Sequence, residues 1–118
     1  MSTQTIFVYG TLKRNFHNHH YLETSQYLGT GYTKSKYALY TAGIPFLIKA
    51  DPVSHVHGEL YEVNAVTLKQ LDLLEGHPDW YCREQVEIIS ETNQTITAWL
   101  YFYPVPNGRL IHSGIFEN

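Results

Sequence analysis

The stretch VHGELYEVNAVTLKQLDLLEG, Val56–Gly76, carries the strongest signals for local structure in this chain. Its first part, Val56–Val63, combines β-branched and aromatic residues and predicts a strand. Asn64 then offers an N-cap, and Ala65–Glu75 has helical spacing of its apolar residues. The glycine that follows, and a proline two residues later, end the predicted helix. A strand that runs directly into a helix indicates a fold that mixes both kinds of element.

Outward from this stretch, most of the chain predicts strands. Thr5–Tyr9 is a short buried strand that ends at Gly10. The other strand predictions are Gln26–Tyr32, Lys36–Tyr40, Phe46–Ile48, Tyr81–Ser90 and Thr95–Tyr103, the last two forming a hairpin around ETNQ. Asn15–Ser25 predicts a loop with a short helix, and Pro104, Pro106 and Gly108 end the strand region. The pattern predicts an α+β fold with a small, curved, mostly antiparallel sheet or barrel.

Length, composition and charge bound the class of protein. The 118 residues, 43% of them hydrophobic, predict one globular domain that spans residues 1–118. The net charge of −3 and the lack of a basic stripe disfavour nucleic acid as a partner. The sequence has neither a signal peptide nor a stretch long enough to span a bilayer, so we expect a cytoplasmic protein with no membrane partner. One cysteine, Cys82, excludes an internal disulfide and a four-cysteine zinc site.

Glu75 has an unusual position on the predicted helix. At about 100° per residue, Leu68, Leu71 and Glu75 point the same way, and the leucines should pack on the sheet. Burial and the negative end of the helix dipole would both raise the pKa of such a carboxyl group, which suits a residue that accepts and returns a proton. On helical spacing alone, the favoured interpretation is that the helix frays before Glu75 and the side chain is solvated.

The second candidate site is VYGTLKR, Val8–Arg14, where a buried strand meets Gly10. A glycine there can adopt a positive φ or let another group approach the backbone closely. Successive amides of such a turn can bind an anion, for example a substrate carboxylate. An ordinary turn after a strand would have the same sequence.

Several segments together resemble the gamma-glutamylcyclotransferase-like family, and more closely its gamma-glutamylamine cyclotransferase branch. They are VYGTL (Val8–Leu12), GIPFL (Gly43–Leu47), VHGELYEV (Val56–Val63), LDLLEGHPDWYCR (Leu71–Arg83) and AWLYFY (Ala98–Tyr103). The resemblance implies a small mixed β-barrel with flanking short helices, and an enzyme that releases 5-oxoproline from a γ-glutamyl compound. It also implies that Glu75 is the catalytic residue, and that a substrate pocket is formed by Tyr9, Gly10, Thr11, Leu12 and Tyr81.

Two segments depart from the family pattern. After KR, where many members have glycine, this chain has Asn15, Phe16 and the cluster His17, His19 and His20, and Ser113–Phe116 reads SGIF in place of SGDW. Both lie where they would alter the rim of the pocket. The resemblance therefore leaves the substrate open among γ-glutamyl-ε-lysine, other γ-glutamyl amines and γ-glutamyl tails of larger compounds, with glutathione less natural.

The chemistry requires no metal, nucleotide or covalent enzyme nucleophile, because the substrate's own α-amine attacks its γ-carbonyl. The protein has to fold the substrate into the reacting shape and move protons. We expect Glu75 to move them from inside the barrel, with the amides of Gly10–Leu12 binding the α-carboxylate or the oxyanion.

Other polar residues are weaker candidates for the site. The cluster His17, His19 and His20 could share a metal, but a solvated loop or a segment at the rim of the pocket is favoured. Glu59, on one strand face with His57 and Tyr61, is the rival carboxylate. For three further residues we expect the following: Arg83 in an ion pair with a barrel carboxylate, Cys82 a bystander thiol, and either Tyr101 or Tyr103 at the pocket.

Three functions compete at this point. The first is a cofactor-independent cyclotransferase. The second is a binding module that holds a small carboxylate ligand without turning it over. The third is a metal-dependent hydrolase that uses the histidine cluster. The oligomeric state cannot be predicted from the sequence.

Overall fold

The computed structural model of the chain describes residues 3–117. Its eight strands are β1 Thr3–Val8, β2 Gln26–Thr33, β3 Ala38–Thr41, β4 Pro45–Ile48, β5 His57–Asn64, β6 Cys82–Ser90, β7 Thr95–Phe102 and β8 Arg109–Ile111. One α-helix, α1, spans Ala65–Glu75, and a short 3₁₀ helix spans His19–Leu22 within the predicted loop.

Five strands close into a barrel in the order β1-β5-β2-β6-β7. Four of the five pairings are antiparallel, and the fifth joins β1 to β7 in parallel at Ile6 and Trp99. The predicted hairpin is β6–β7, and Asn93 in its turn has a φ of 69°. The prediction of a small, mixed, mostly antiparallel barrel with flanking short helices is confirmed.

The alternation of side chains along each strand separates two apolar clusters. On β7, Leu100 and Phe102 point into the barrel, whereas Tyr101 points to the outer face. The interior is filled by buried side chains, among them Phe7, Leu60, Ile88, Ala98, Leu100 and Phe102. The outer cluster contains Ile6, Val8, Tyr61, Val63, Leu71 and Tyr101, and α1 packs on it. The barrel therefore has a packed interior and a second core outside its wall.

Helix α1 begins and ends at the predicted residues. The Asn64 side chain accepts a hydrogen bond of 2.8 Å from the amide of Thr67, which caps the N-terminus. Gly76 is left-handed with a φ of 67°, and the two amides that follow Glu75 donate to the carbonyls of Leu73 and Asp72 in a Schellman motif. In residues 3–117, no helix combines the length and the hydropathy that crossing a bilayer requires.

A second sheet, β4-β3-β8, lies beside the barrel. The prediction that the strand region ends at Pro104–Gly108 is wrong, because β8 follows and pairs with β3. Three residues were too short a run for the sequence pattern to predict this strand, which forms through contacts distant in sequence. The connection between β3 and β4 turns at Gly43, with a φ of 85°, and brings Pro45 against Gly10.

Candidate active site

A cleft of about 240 Å³ lies at one end of the barrel, between the C-terminal end of β1, the end of α1 and the β3–β4 connection. Its volume suits a small molecule. The lining residues are Phe7, Val8, Tyr9, Gly10, Thr11, Leu12, Asn18, Ile44, Pro45, Leu74, Glu75, Trp80, Tyr81 and Tyr101. All six predicted site residues are among them. The expectation that the pocket lies inside the barrel is wrong, because the interior is occupied by packed side chains.

Glu75 is the last residue of α1, and its side chain is half-buried in the cleft. Its backbone is fixed by the Schellman motif and by its carbonyl, which accepts a hydrogen bond of 3.1 Å from the amide of Tyr81. Within residues 3–117, no group donates a hydrogen bond to the carboxylate and no cation pairs with it. Burial therefore raises the pKa of Glu75 from 4.5 to about 7.

The turn after β1 forms the opposite wall. Gly10 does not have a positive φ, so the reason for glycine is close approach: a Cβ would collide with the ring of Pro45. The carbonyl of Gly10 accepts from the amide of Lys13 at 3.0 Å, which closes the turn. The Asn18 side chain donates to the hydroxyl of Thr11 at 2.9 Å and holds the turn from behind. In the described part of the chain, the amides of residues 10–12 donate no hydrogen bond to the backbone.

Three buried tyrosines surround Glu75. The hydroxyl of Tyr9 donates to the carbonyl of Tyr101 at 2.7 Å, and that of Tyr81 donates to the carbonyl of Pro45 at 2.7 Å. Burial raises the pKa of each phenol, and the negative charge of Glu75 raises it further. These hydroxyls therefore stay protonated at neutral pH and fix the shape of the cleft.

Tyr101 also ties α1 to the barrel. Its hydroxyl donates to Oδ1 of Asp72 at 2.7 Å, and the same carboxylate makes a two-pronged ion pair with Arg83 at 2.8 and 3.1 Å. The guanidinium stacks 4.3 Å from the ring centre of Trp99. Arg83 is thus in an ion pair, as predicted, but its partner lies on the helix and not on the barrel. Of the two tyrosines left open from the sequence, Tyr101 lines the cleft and Tyr103 does not.

The rival residues lie elsewhere. Glu59 accepts hydrogen bonds from the Arg14 amide and the Tyr61 hydroxyl and does not line the cleft. Within residues 3–117, no group of three or more His, Cys, Asp or Glu side chains is close enough to hold a metal ion. Cys82 is a free, half-buried thiol outside the cleft.

The two segments that depart from the family pattern contact each other. The rings of Phe16 and Phe116 lie 5.6 Å apart, and Lys13 donates to the carbonyl of Phe116 at 2.8 Å. Neither phenylalanine lines the cleft, but Asn18, within the histidine cluster after Phe16, does. The first departing segment therefore reaches the cleft, as expected, and Ser113–Phe116 does not.

Several lining residues were missed from the sequence. Asn18, within the histidine cluster, was not named as a site residue, because its hydrogen bond to Thr11 depends on how the loop folds. Ile44 and Trp80 lie on loops, and their place at the cleft depends on contacts between segments distant in sequence.

The family model "Gamma-glutamyl cyclotransferase, AIG2-like" matches residues 6–118. A Methanocaldococcus jannaschii protein named "Putative gamma-glutamylcyclotransferase" is 48% identical over 114 residues, which are 96% of this chain and 95% of that protein. Gamma-glutamylaminecyclotransferase C of Danio rerio is 38% identical over 75% of this chain and 64% of its own length.

Among solved structures, an AIG2-like protein from Mus musculus superimposes with a TM-score of 0.79 at 32% identity. The match covers 86% of this chain and 78% of the mouse chain. The family resemblance noted in the sequence is therefore confirmed along nearly the whole chain. The chain belongs to the gamma-glutamyl cyclotransferase, AIG2-like family.

Proposed function

We propose that this protein is a cofactor-independent cyclotransferase that releases 5-oxoproline and a free amine from a γ-glutamyl amine or a related γ-glutamyl compound. Glu75 is the general acid and base. The turn Gly10–Leu12, with Tyr9 and Tyr81, binds the substrate. The family membership and the names of the relatives support a cyclotransferase in general terms.

The half-buried carboxyl of Glu75 is the observation that carries the proposal. A pKa of about 7 means that both protonation states are populated at neutral pH, as a residue that accepts and then returns a proton requires. Its fixed backbone holds the carboxyl at one place in the cleft. A carboxylate kept without a cation lowers stability, so a chemical role explains its presence better than a structural one.

The reaction begins when Glu75 takes a proton from the substrate's α-ammonium. The free amine attacks the γ-carbonyl carbon, the new C–N bond closes a five-membered ring, and the carbonyl oxygen becomes an oxyanion. The tetrahedral species collapses by breaking the bond to the leaving nitrogen, to which Glu75 returns its proton. Two protons pass in all from the attacking to the leaving nitrogen, so the amine departs as an ammonium ion and Glu75 returns to its initial state.

The wall opposite Glu75 supplies the remaining requirements. Amides in the turn Gly10–Leu12 that donate to no backbone carbonyl are available to a carboxylate or an oxyanion. Both reacting groups belong to one bound molecule, so a cleft that holds this molecule in a folded shape reduces the entropic cost of ring closure.

The test compares wild type with Glu75→Gln on a panel of γ-glutamyl amines and dipeptides in the presence of EDTA. The product, 5-oxoproline, is measured by mass spectrometry. We expect wild type to form product and Glu75→Gln to lose turnover by about 10²–10⁴-fold. Glu87→Gln, the same change at an exposed residue on β6, is the matched control and should keep full activity.

Three results would contradict the proposal. Retention of most activity by Glu75→Gln would remove Glu75 from the chemistry. Wild type that binds γ-glutamyl compounds by calorimetry but releases no 5-oxoproline would favour the binding module. Loss of wild-type activity on adding EDTA would favour the metal-dependent hydrolase.

A further inference from the structure

The mouth of the cleft is apolar, although it is open to solvent. Ile44, Leu74 and Trp80 line it and are 45%, 37% and 70% exposed, whereas Tyr9 and Tyr81 at its floor are 6% and 7% exposed. Exposed apolar side chains that converge on a pocket provide a surface for a ligand to cover. The three side chains come from separate segments, namely the β3–β4 connection, α1 and the loop after it.

The charge around the cleft is equally distinctive. Among its lining residues, all in the described part of the chain, Glu75 is the one that carries a charge. No Lys, Arg or His in residues 3–117 lines the cleft to receive a second carboxylate. Asp79, the neighbour of Trp80, lines an adjoining depression together with Lys49 and Glu84, and the Trp80 side chain lies between that depression and the cleft.

The distribution of polar groups orients the substrate. The γ-glutamyl part carries an ammonium and a carboxylate, which need the Glu75 carboxyl and the turn amides near the floor. The part that varies between substrates is the leaving amine, and it extends from the γ-carbonyl toward the mouth. The side chains of Ile44, Leu74 and Trp80 therefore face the leaving amine.

We infer that the mouth selects γ-glutamyl amides whose leaving amine has an apolar substituent and no charged group besides its reacting nitrogen, such as an alkylamine or arylalkylamine. This inference rests on the proposed function. A leaving amine with a second ammonium or a carboxylate would lose water at the mouth and find no opposite charge there. An alkyl chain instead buries apolar surface against the three side chains.

Three synthetic substrates of equal length test the preference. They are the γ-glutamyl amides of pentylamine, of cadaverine and of 5-aminopentanoate, which end in a methyl group, an ammonium and a carboxylate. We expect kcat/KM for the pentylamide to exceed each of the others by about tenfold or more. From methylamide to pentylamide, each methylene should raise kcat/KM about twofold to fourfold.

Variants at the mouth should shift the preference without changing the chemistry. Ile44→Glu should raise kcat/KM for the cadaverine amide and lower it for the pentylamide, each by about fivefold to tenfold. Trp80→Ala should lower kcat/KM for the pentylamide by about tenfold and leave that for the methylamide nearly unchanged. Val66→Glu is the matched control, because Val66 is 68% exposed and lies at the other end of α1, outside the cleft.

The outcomes separate this inference from the proposed function. Product from all three amides with the cadaverine or carboxylate amide preferred would overturn the inference and leave the cyclotransferase intact. An equal loss for all substrates in Ile44→Glu or Trp80→Ala would overturn it as well. No 5-oxoproline from any amide would overturn the proposed function itself.

Discussion

Two carboxylates three residues apart on α1 have opposite surroundings. Asp72 accepts hydrogen bonds from Arg83 and Tyr101, and Glu75 accepts none within residues 3–117. Burial raises the pKa of Asp72, but the hydrogen bonds and charge of Arg83 and the Tyr101 hydroxyl outweigh it, so its pKa lies below the usual value. Burial acts alone on Glu75 and raises its pKa to about 7.

The contrast teaches that one helical turn can carry a stabilising carboxylate and a destabilising one. Asp72 is satisfied and anchors the helix to β6 and β7. Glu75 is held by that anchor in a place where its charge has no partner among residues 3–117. A reactive carboxyl group thus depends on a structural one next to it.

The largest effect we expect is on the pH dependence of catalysis. Because Glu75 must be ionised to accept a proton, kcat/KM should fall about fiftyfold between pH 7 and pH 5. Asp72→Asn should keep the midpoint of this profile near pH 7 even if its overall rate is lower. Initial rates of 5-oxoproline release from pH 4.5 to 9 measure this profile. A flat profile in wild type would contradict the difference in pKa between Asp72 and Glu75.

Glu75→Gln should stabilise the protein above pH 7. The folded-state pKa is raised, so the contribution of Glu75 to stability is complete below pH 4.5 and is lost as the pH rises through 7. At pH 8 the variant should unfold with a free energy about 2–3 kcal/mol higher than wild type. At pH 4.5 the two should agree. Urea denaturation at both pH values measures this, and equal stabilities at pH 8 would place the carboxyl in water.

Arg83→Met should act in the opposite direction. It leaves Asp72, whose side chain is 21% exposed, without its cation and should destabilise the protein by about 1–2 kcal/mol at pH 7. Lys49→Met removes an exposed ion pair with Glu84 and should cost less than about 0.5 kcal/mol. Equal losses in the two variants would show that the Asp72 pair does not anchor the helix.

The smallest effect belongs to Tyr101→Phe. The change removes the hydroxyl that donates to Asp72 and should lower the free energy of unfolding by about 1 kcal/mol. Tyr103→Phe, on the same face of the chain after β7, is the control and should change it by less than about 0.5 kcal/mol. A thermal melt of both variants compares them, and a larger loss in Tyr103→Phe would contradict the role of the hydroxyl.

Local features of the fold could be predicted from the sequence pattern. The closure of the barrel was predicted from the resemblance to the family. The bounds of α1 depend on Asn64 and Gly76, which act within a few residues, and both were predicted. The parallel contact of Ile6 with Trp99 joins residues far apart in sequence, and no local pattern indicates it.

For the site as well, local features could be predicted from the sequence and long-range contacts could not. Helical spacing suggested that Glu75 could turn inward but by itself favoured a solvated side chain, and the family resemblance selected the inward position. The glycine turn was predicted from its place after a buried strand. The position of the cleft was not predicted, because the alternation of side chains along β1 and β7 does not reveal which face of the sheet the helix covers. The ion pair of Arg83 was predicted in part: its partner was expected on the barrel, and Asp72 lies on α1.

The residues that stabilise the barrel interior differ from those that line the mouth of the cleft. The residues that meet a variable leaving group lie on two loops and a helix surface, and none of them belongs to the interior cluster. Substitution at Ile44, Leu74 or Trp80 can therefore create new substrate preferences while selection on the barrel continues unchanged. A small library at these three positions would sample new activities with little loss of folded protein.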